Sequence, residues 1–458
     1  MPPAHADDVF LNGVRVAYLA QADDIALISK SRTDGLQAKL DAFNTWCRRN
    51  GMAVNALKSF LMIFGPLPDV PPVVAIAGER IQLVSSTVYV GVTMTSTTPH
   101  IYADHRAYKA NVARRIANVT LAMEGYIGSV PPRYGRLLYL ARIDPHLTYG
   151  CEADVDVHPS SLHPLETVQL TYLRRVLMLS SRSPLVILYT MLNIWPLRYR
   201  RLQLAVRYLA YLAQSDAPAF PKAAMHTAVH LARAGHPSWW SDLKLAFNAL
   251  PVPVHMDIDI PPSTHLAAHL QNALRESLRQ YVLQGIAVPR LELYRSILVT
   301  PLGLAPSLAK LFASHVFLTL AKLQRKCLTR LLVCEHPFAA HRRRFLHDGT
   351  PPAWWICRFC RDVRCVEDEG HVLFECVNDD LIKARTRAFR DMLTIHPPLE
   401  YILPKRTDVW DLVRFFARHP RLLARFADFV HMTFKMCDEV PMIIITSQND
   451  LAELGPRP

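Results

Sequence analysis

The sequence predicts an α+β chain: a partial antiparallel sheet at the N-terminus, then mostly helices, with a small cysteine- and histidine-rich segment before the last of them. Three observations predict it. Up to residue 98, short β-compatible runs alternate with two-residue turn signals. From Asp104 onward apolar residues recur at helical spacing, and 34 Pro against 16 Gly supply frequent helix stops. Near the C-terminus Cys357, Cys360, His371 and Cys376 follow the spacing of a metal-binding knuckle.

The elements follow in order. Asn12-Gly13, between Val9-Phe10-Leu11 and Val14-Arg15-Val16, is a strong hairpin signal. Val14 to Leu19 and Ile25 to Ile28 then flank Asp23-Asp24, which reads as strand, tight turn, strand, with the acid pair at the tip. Carboxylates at such a tip suit Mg²⁺, a hard cation that takes oxygen ligands, although a bare Asp-Asp is far more often a solvated turn. Asp34 opens a helix whose stripe is Leu36, Leu40, Phe43 and Cys47, and Gly51 is placed to end it. Val54 and Phe60 to Phe64 supply the next strand, with Lys58 at its edge. After the Pro66 to Pro72 connector, Val73 to Ile76, Ile81 to Val84 and Val88 to Val92 suggest a small antiparallel addition.

Between Asp104 and Gly150 the stripe Tyr108, Val112, Ile116, Val119 predicts a helix buried along that line. Residues 216–320 read as a helical connector cut by prolines, with His265 to Gln284 as one piece. Past Asp379 the pattern gives helices over Ala384 to Thr394, Val409 to Arg418 and Arg421 to Lys435, the last two separated by His419-Pro420. The tail after Gln448 is expected to fray.

Composition bounds the function. Half of the 458 residues are hydrophobic, enough for two to four globular domains. The net charge of +13 and pI near 9.4 favour polyanionic partners without saying anything about fold. Met1 to Asp8 has no apolar core, so it is no secretory signal. No uncharged apolar run reaches the ~20 residues of a bilayer span, and Ser183 to Leu197 is broken by Pro184 and Pro196. An intracellular setting, nucleus or cytoplasm, is expected, where the nine cysteines stay reduced.

Ordered landmarks then point further. After Ala22-Asp23-Asp24 come a Leu-rich helix ending Trp46-Cys47, Gly51, Asn55, Lys58-Ser59, Phe64-Gly65 and Tyr89-Val90-Gly91-Val92. Pro145-His-Leu-Thr-Tyr149-Gly150-Cys-Glu152, Leu165 to Gln169, Tyr172 to Leu177 and Pro196 to Arg201 continue the set. In this order the chain resembles the reverse transcriptases of non-LTR (LINE-like) retroelements over most of residues 8 to 215. The resemblance implies a partial palm at 1–98 and a thumb-like helical domain at 99–215. It implies RNA-directed DNA synthesis by nucleotidyl transfer with two Mg²⁺ ions. In that scheme Asp23 binds metal, Asp24 assists, Lys58 approaches the nucleotide phosphates, and Tyr89 and Gly91 lie where a hairpin grips the primer end. Gln21 stands where the family carries an aromatic residue. The family's third carboxylate comes from an earlier palm strand, and nothing around Asp7 or Asp8 matches it. The expectation is therefore the back part of a polymerase, inactive as this chain alone. The alternative is a non-catalytic RNA- and DNA-binding protein that retains thumb and knuckle.

The second chemical site is Cys357-x₂-Cys360-x₁₀-His371-x₄-Cys376, with Cys365 as a spare or rival ligand. Three thiolates and an imidazole make a closed structural Zn²⁺ site, and many non-LTR retroelement proteins carry such an element after the polymerase. Within the segment 321–380, Lys322 to Arg364 carries ten Lys/Arg against three Asp/Glu, including Arg342-Arg343-Arg344, with Trp354, Trp355 and Phe359 beside the knuckle. Cations neutralise phosphates and aromatics stack on exposed bases, so Arg342, Arg343, Arg344, Trp354 and Trp355 are candidate nucleic-acid contacts. The competing reading is a solvated arginine face with tryptophans packed under the metal, and a polybasic stretch can also be a nuclear-entry signal. Residues 381–458 complete the chain as C-terminal helices and tail.

Overall fold

The computed structural model describes residues 4–30, 33–214, 216–298, 305–313, 315–343, 350–403 and 409–453. The chain divides into two compact units that interleave along the sequence. One holds residues 1–116, 142–168 and 196–277, the other 117–141, 169–195 and 278–458. Short strand pairs at the N-terminus followed by helices make the fold α+β, as expected.

In the first unit β1 (Val9–Leu11) and β2 (Val14–Val16) pair antiparallel. Asn12 and Gly13 take φ of +44° and +78°, the backbone a two-residue type I′ turn requires. The run Val14 to Leu19 is not one strand. It divides at buried Ala17, whose carbonyl accepts from Ile28 N at 2.9 Å. Beyond it β3 (Tyr18–Gln21) pairs with β4 (Asp24–Leu27), Tyr18 opposite Leu27 and Gln21 opposite Asp24.

The helix Thr33–Arg49 buries Leu40 and Cys47 and half-buries Leu36 and Phe43, the stripe read from the sequence. Gly51, at φ +71°, ends it, with Met52 N donating to Cys47 O at 2.9 Å. Leu40 packs into a small core with Ala56, Leu61, Val74, Ile76 and Ile81. Around this core β5 (Phe60–Leu61) pairs in parallel with β8 (Gln82–Leu83), and β6 (Ala75–Ile76) forms a hairpin with β7 (Glu79–Arg80).

The run Val88 to Val92 also differs from expectation. β9 (Ser86–Tyr89) and β10 (Val92–Thr95) are two strands of a hairpin, turned at Val90 and Gly91 with φ +49° and +72°. Apolar composition concealed the turn, because valine seldom takes a positive φ.

The helix Ala103–Ala122 forms, but its buried line is not the expected one. Tyr108 and Val119 are 54% and 70% exposed, while Ala110, Ala113 and Ala117 are buried. Small side chains let neighbouring backbone approach closely, so the packed face carries little hydrophobic signal. Farther on, helix Ala219–Arg233 packs on β1 and β2, and helix Trp239–Asn248 packs on it and on Leu197–Leu212.

The second unit is built on the helices Lys322–Leu332 and Leu423–Glu439, which pack along each other. Phe374, Phe416 and Phe426 stack in its core, and Phe338 meets Phe434 edge-on at 5.5 Å. The helices Asp379–Ile395, Val409–Arg418 and Leu423–Glu439 match the three expected C-terminal ones, with the break at His419-Pro420. The tail does not fray at Gln448. A short helix, Gln448–Glu453, forms there, and Asp450 accepts from Thr446 N and Ser447 N. Among the described residues, no helix is long and apolar enough to cross a membrane.

Candidate metal centre and acid-tipped hairpin

The acid pair sits on a hairpin, with the tip made by Ala22 and Asp23; Asp24 already belongs to the returning strand β4. Both carboxylates are exposed. Ala22 takes φ +53°, a left-handed backbone that costs a non-glycine residue on the order of 1 kcal/mol. The strain therefore falls one residue before Asp23. The charge of Asp24 reaches Tyr89: burial first, then that charge, pushes the Tyr89 phenol up.

Lys58 is exposed at the end of a short turn capped by Asn55, whose side chain accepts from Leu57 N and Lys58 N. Among the described residues, no ion pair joins Lys58 to the acid turn. Asp8, the nearest upstream carboxylate to be considered, is fully buried and committed elsewhere. Arg15 bonds it and Lys39 Nζ lies 2.7 Å from Oδ1. Burial opposes its charge, but those two cations hold its carboxyl far below the usual range. Among the described residues, no third His, Cys, Asp or Glu completes a ligand group with Asp23 and Asp24.

The later landmarks converge on the β9–β10 hairpin. Tyr149 Oη donates to Val90 O at 2.8 Å, and a side chain on Gly91 would meet that hydroxyl at 3.0 Å. Lys109 Nζ lies 4.0 Å from the centre of the Tyr149 ring, a cation–π contact. Thr93 N donates to His105 Nδ1 at 3.2 Å, and His105 Nε2 lies 3.2 Å from Tyr149 O. Below the turn, buried Arg201 bonds Asp156, Leu147 O and Asp154 O, while Arg106 forks onto Asp154. Burial opposes the Arg201 charge, and Asp156 and Asp154 outweigh it. Tyr149 and Arg201 were legible only as parts of matched stretches, since a tyrosine or an arginine alone carries no positional signal.

The knuckle gathers its four candidate ligands. Cys357, Cys360, His371 and Cys376 are all buried, with ligand atoms within 4.8 Å of one another. The bridge Ile356–Val366 closes the knuckle, and Cys357 N donates to Cys365 O at 3.0 Å. A π-helical turn, His371–Glu375, carries the chain from His371 to Cys376. Cys357 Sγ and Cys376 Sγ lie 3.8 Å apart, Cys360 Sγ and His371 Nε2 3.4 Å apart. Zn–S bonds of about 2.3 Å and Zn–N bonds of about 2.0 Å give tetrahedron edges of about 3.8 Å and about 3.5 Å. The donor set and spacing therefore fit Zn²⁺. Cys365 stands outside the group. A hydrogen bond from Cys357, and after it the approach of His371, draws the Cys376 thiol down from its ordinary value.

A buried strut holds the knuckle. Glu367 accepts from Ala339 N, Arg358 N and the Arg358 guanidinium, which also donates to Pro337 O, Cys437 O and Val440 O. Neither residue was singled out from the sequence, where both look like ordinary surface charges.

The basic flank is divided. Arg342 is exposed. Arg343 is 2% exposed and bonds Thr350 Oγ1 and Ile445 O, both at 2.9 Å, so it is withdrawn from any phosphate; its charge instead ties the tail to the segment. Arg344 lies outside the described residues. Trp354 and Trp355 are half-buried against the knuckle, in and just after the turn Pro352–Trp354.

Over 182 residues, 38% of its length, the chain is 26% identical to the RNA-directed DNA polymerase from mobile element jockey of Drosophila melanogaster. The match spans 19% of that protein's length. No protein-family model and no solved structure matches the chain. The chain is thus distantly similar to a retrotransposon reverse transcriptase.

Proposed function

We propose that this chain is a reverse-transcriptase-derived polypeptide of the non-LTR retroelement type that binds RNA and DNA and does not polymerise on its own. Residues 1–98 correspond to a partial palm, 99–215 to a thumb-like helical domain, 216–320 to a helical connector, 321–380 to a basic segment with a zinc knuckle and 381–458 to C-terminal helices. The supporting observation is the convergence of separate landmarks: Tyr149 from one stretch seats on the turn of Tyr89-x-Gly91. The distant similarity to a mobile-element polymerase points the same way.

In this reading Asp23 ligates Mg²⁺ and Asp24 assists, with Lys58 and Tyr89 serving the nucleotide and primer. The two-metal chemistry needs a further carboxylate. Asp8 does not serve, because Lys39 and Arg15 already hold it. Zn²⁺ at Cys357, Cys360, His371 and Cys376 supplies folding energy to the knuckle. Arg342, Trp354 and Trp355 remain its candidates for nucleic-acid contact. The test is an RNA/DNA hybrid titrated with the purified chain, with Mg²⁺ and dNTPs present. Binding that weakens steeply with salt and no extension of the primer are expected. Extension abolished by Asp23→Ala would overturn the non-catalytic part; no binding at low salt would overturn the rest.

A further inference from the structure

A second cluster of ligand atoms lies beside the knuckle and shares none of its four candidate ligands. Cys334, His336 and Glu369 are all buried, and their ligand atoms lie within 4.8 Å of one another. Two segments supply them. Cys334 and His336 follow the helix Lys322–Leu332, and Glu369 comes from the knuckle itself.

The local backbone shows how the thiol gets there. Glu335 N donates to Arg330 O at 2.7 Å and Cys334 N to Leu331 O at 3.1 Å, a closing pattern that puts Cys334 in the left-handed region at φ +56°. Glycine is the ordinary choice at such a position. A cysteine with its Cβ is strained there. Glu335, between the two, is occupied elsewhere, accepting from Ser180 N, Ser180 Oγ and Ser183 Oγ.

His336 is fully enclosed, with Phe338 at 4.7 Å between ring centres. Its Nε2 meets Glu369 Oε1 at 2.6 Å. Its Nδ1 is also buried. A simple histidine–carboxylate ion pair explains the Nε2 contact. The Cys334 thiol in turn lies within hydrogen-bond reach of both His336 and Glu369, so three side chains of metal-ligating type converge on one enclosed point.

We propose that Cys334, His336 and Glu369 form a second metal site, for a thiophilic divalent ion of the Zn²⁺ or Co²⁺ kind. Thiolate, imidazole and carboxylate are the donor types such ions take. Three protein donors leave a fourth position to an exchangeable ligand, so this site binds more weakly than the Cys₃His centre. Because Glu369 lies two residues before His371, the second ion would fasten the knuckle to the end of the helix Lys322–Leu332.

The experiment uses the full chain, stripped of metal under reducing conditions and titrated with Co²⁺. Thiolate-to-metal charge-transfer absorption is followed, and bound metal is counted by elemental analysis. Two equivalents are expected, the second weaker. Cys334→Gly suits the left-handed backbone and so preserves the fold; it should remove the second equivalent alone. Glu369→Gln should weaken that equivalent at least tenfold. Cys360→Ser should weaken the first and leave the second measurable. A single equivalent in the unaltered chain, or two that persist in Cys334→Gly, overturns the second site without touching the first.

Discussion

Replacing Glu367 by alanine is the sharpest perturbation the knuckle offers. The carboxylate is fully buried, and Arg358 is nearly so. Removing it strands a buried guanidinium and two backbone donors, Ala339 N and Arg358 N. Loss of one partner of a buried ion pair costs about 3–5 kcal/mol, and each orphaned amide about 1–3 kcal/mol more. Three carbonyls, of Pro337, Cys437 and Val440, still accept from Arg358 and offset part of that loss. A net destabilisation of about 4 kcal/mol in the second unit is expected, with Glu367→Gln losing roughly half as much because its amide oxygen still accepts. Urea unfolding followed by tryptophan fluorescence measures it, with zinc release followed in parallel. A loss under about 1 kcal/mol for Glu367→Ala would show that the strut does not hold the knuckle.

Gly91→Ala places a methyl against the Tyr149 hydroxyl and imposes a left-handed backbone on alanine. A loss of about 1–3 kcal/mol is expected, and hydrogen exchange at the β9–β10 turn should report it. Tyr149→Phe removes only the bond to Val90 O and should cost about 0.5–1.5 kcal/mol in the same assay. The Asp8 carboxyl is held below its unfolded value by Arg15 and Lys39, so its stabilisation is complete above about pH 5 and is lost as the pH falls below about 4. Acid titration of the first unit should show that limb, and Asp8→Asn should flatten it while lowering stability at neutral pH. Gly285→Ala would drive a methyl into Val186 in the second unit; thermal unfolding should fall by the equivalent of about 1–3 kcal/mol.

What the amino-acid order settled by itself is local. Asn12-Gly13 forced a type I′ turn, Gly51 ended its helix, His419-Pro420 broke another, and Cys357, Cys360, His371 and Cys376 gathered as their spacing implied. In each case the constraint, a φ angle, a missing amide hydrogen or a short ligand loop, acts over a few neighbouring residues. The folded chain decided the rest. It turned Val90-Gly91 inside an apolar run, buried alanines rather than Tyr108 and Val119, drew Arg343 inside, and seated Tyr149 on a turn 59 residues away in sequence. It also brought Cys334 and His336 beside Glu369. Those outcomes depend on which distant surfaces exclude water together and which buried charges find partners, and no short window of sequence holds both sides of such a contact.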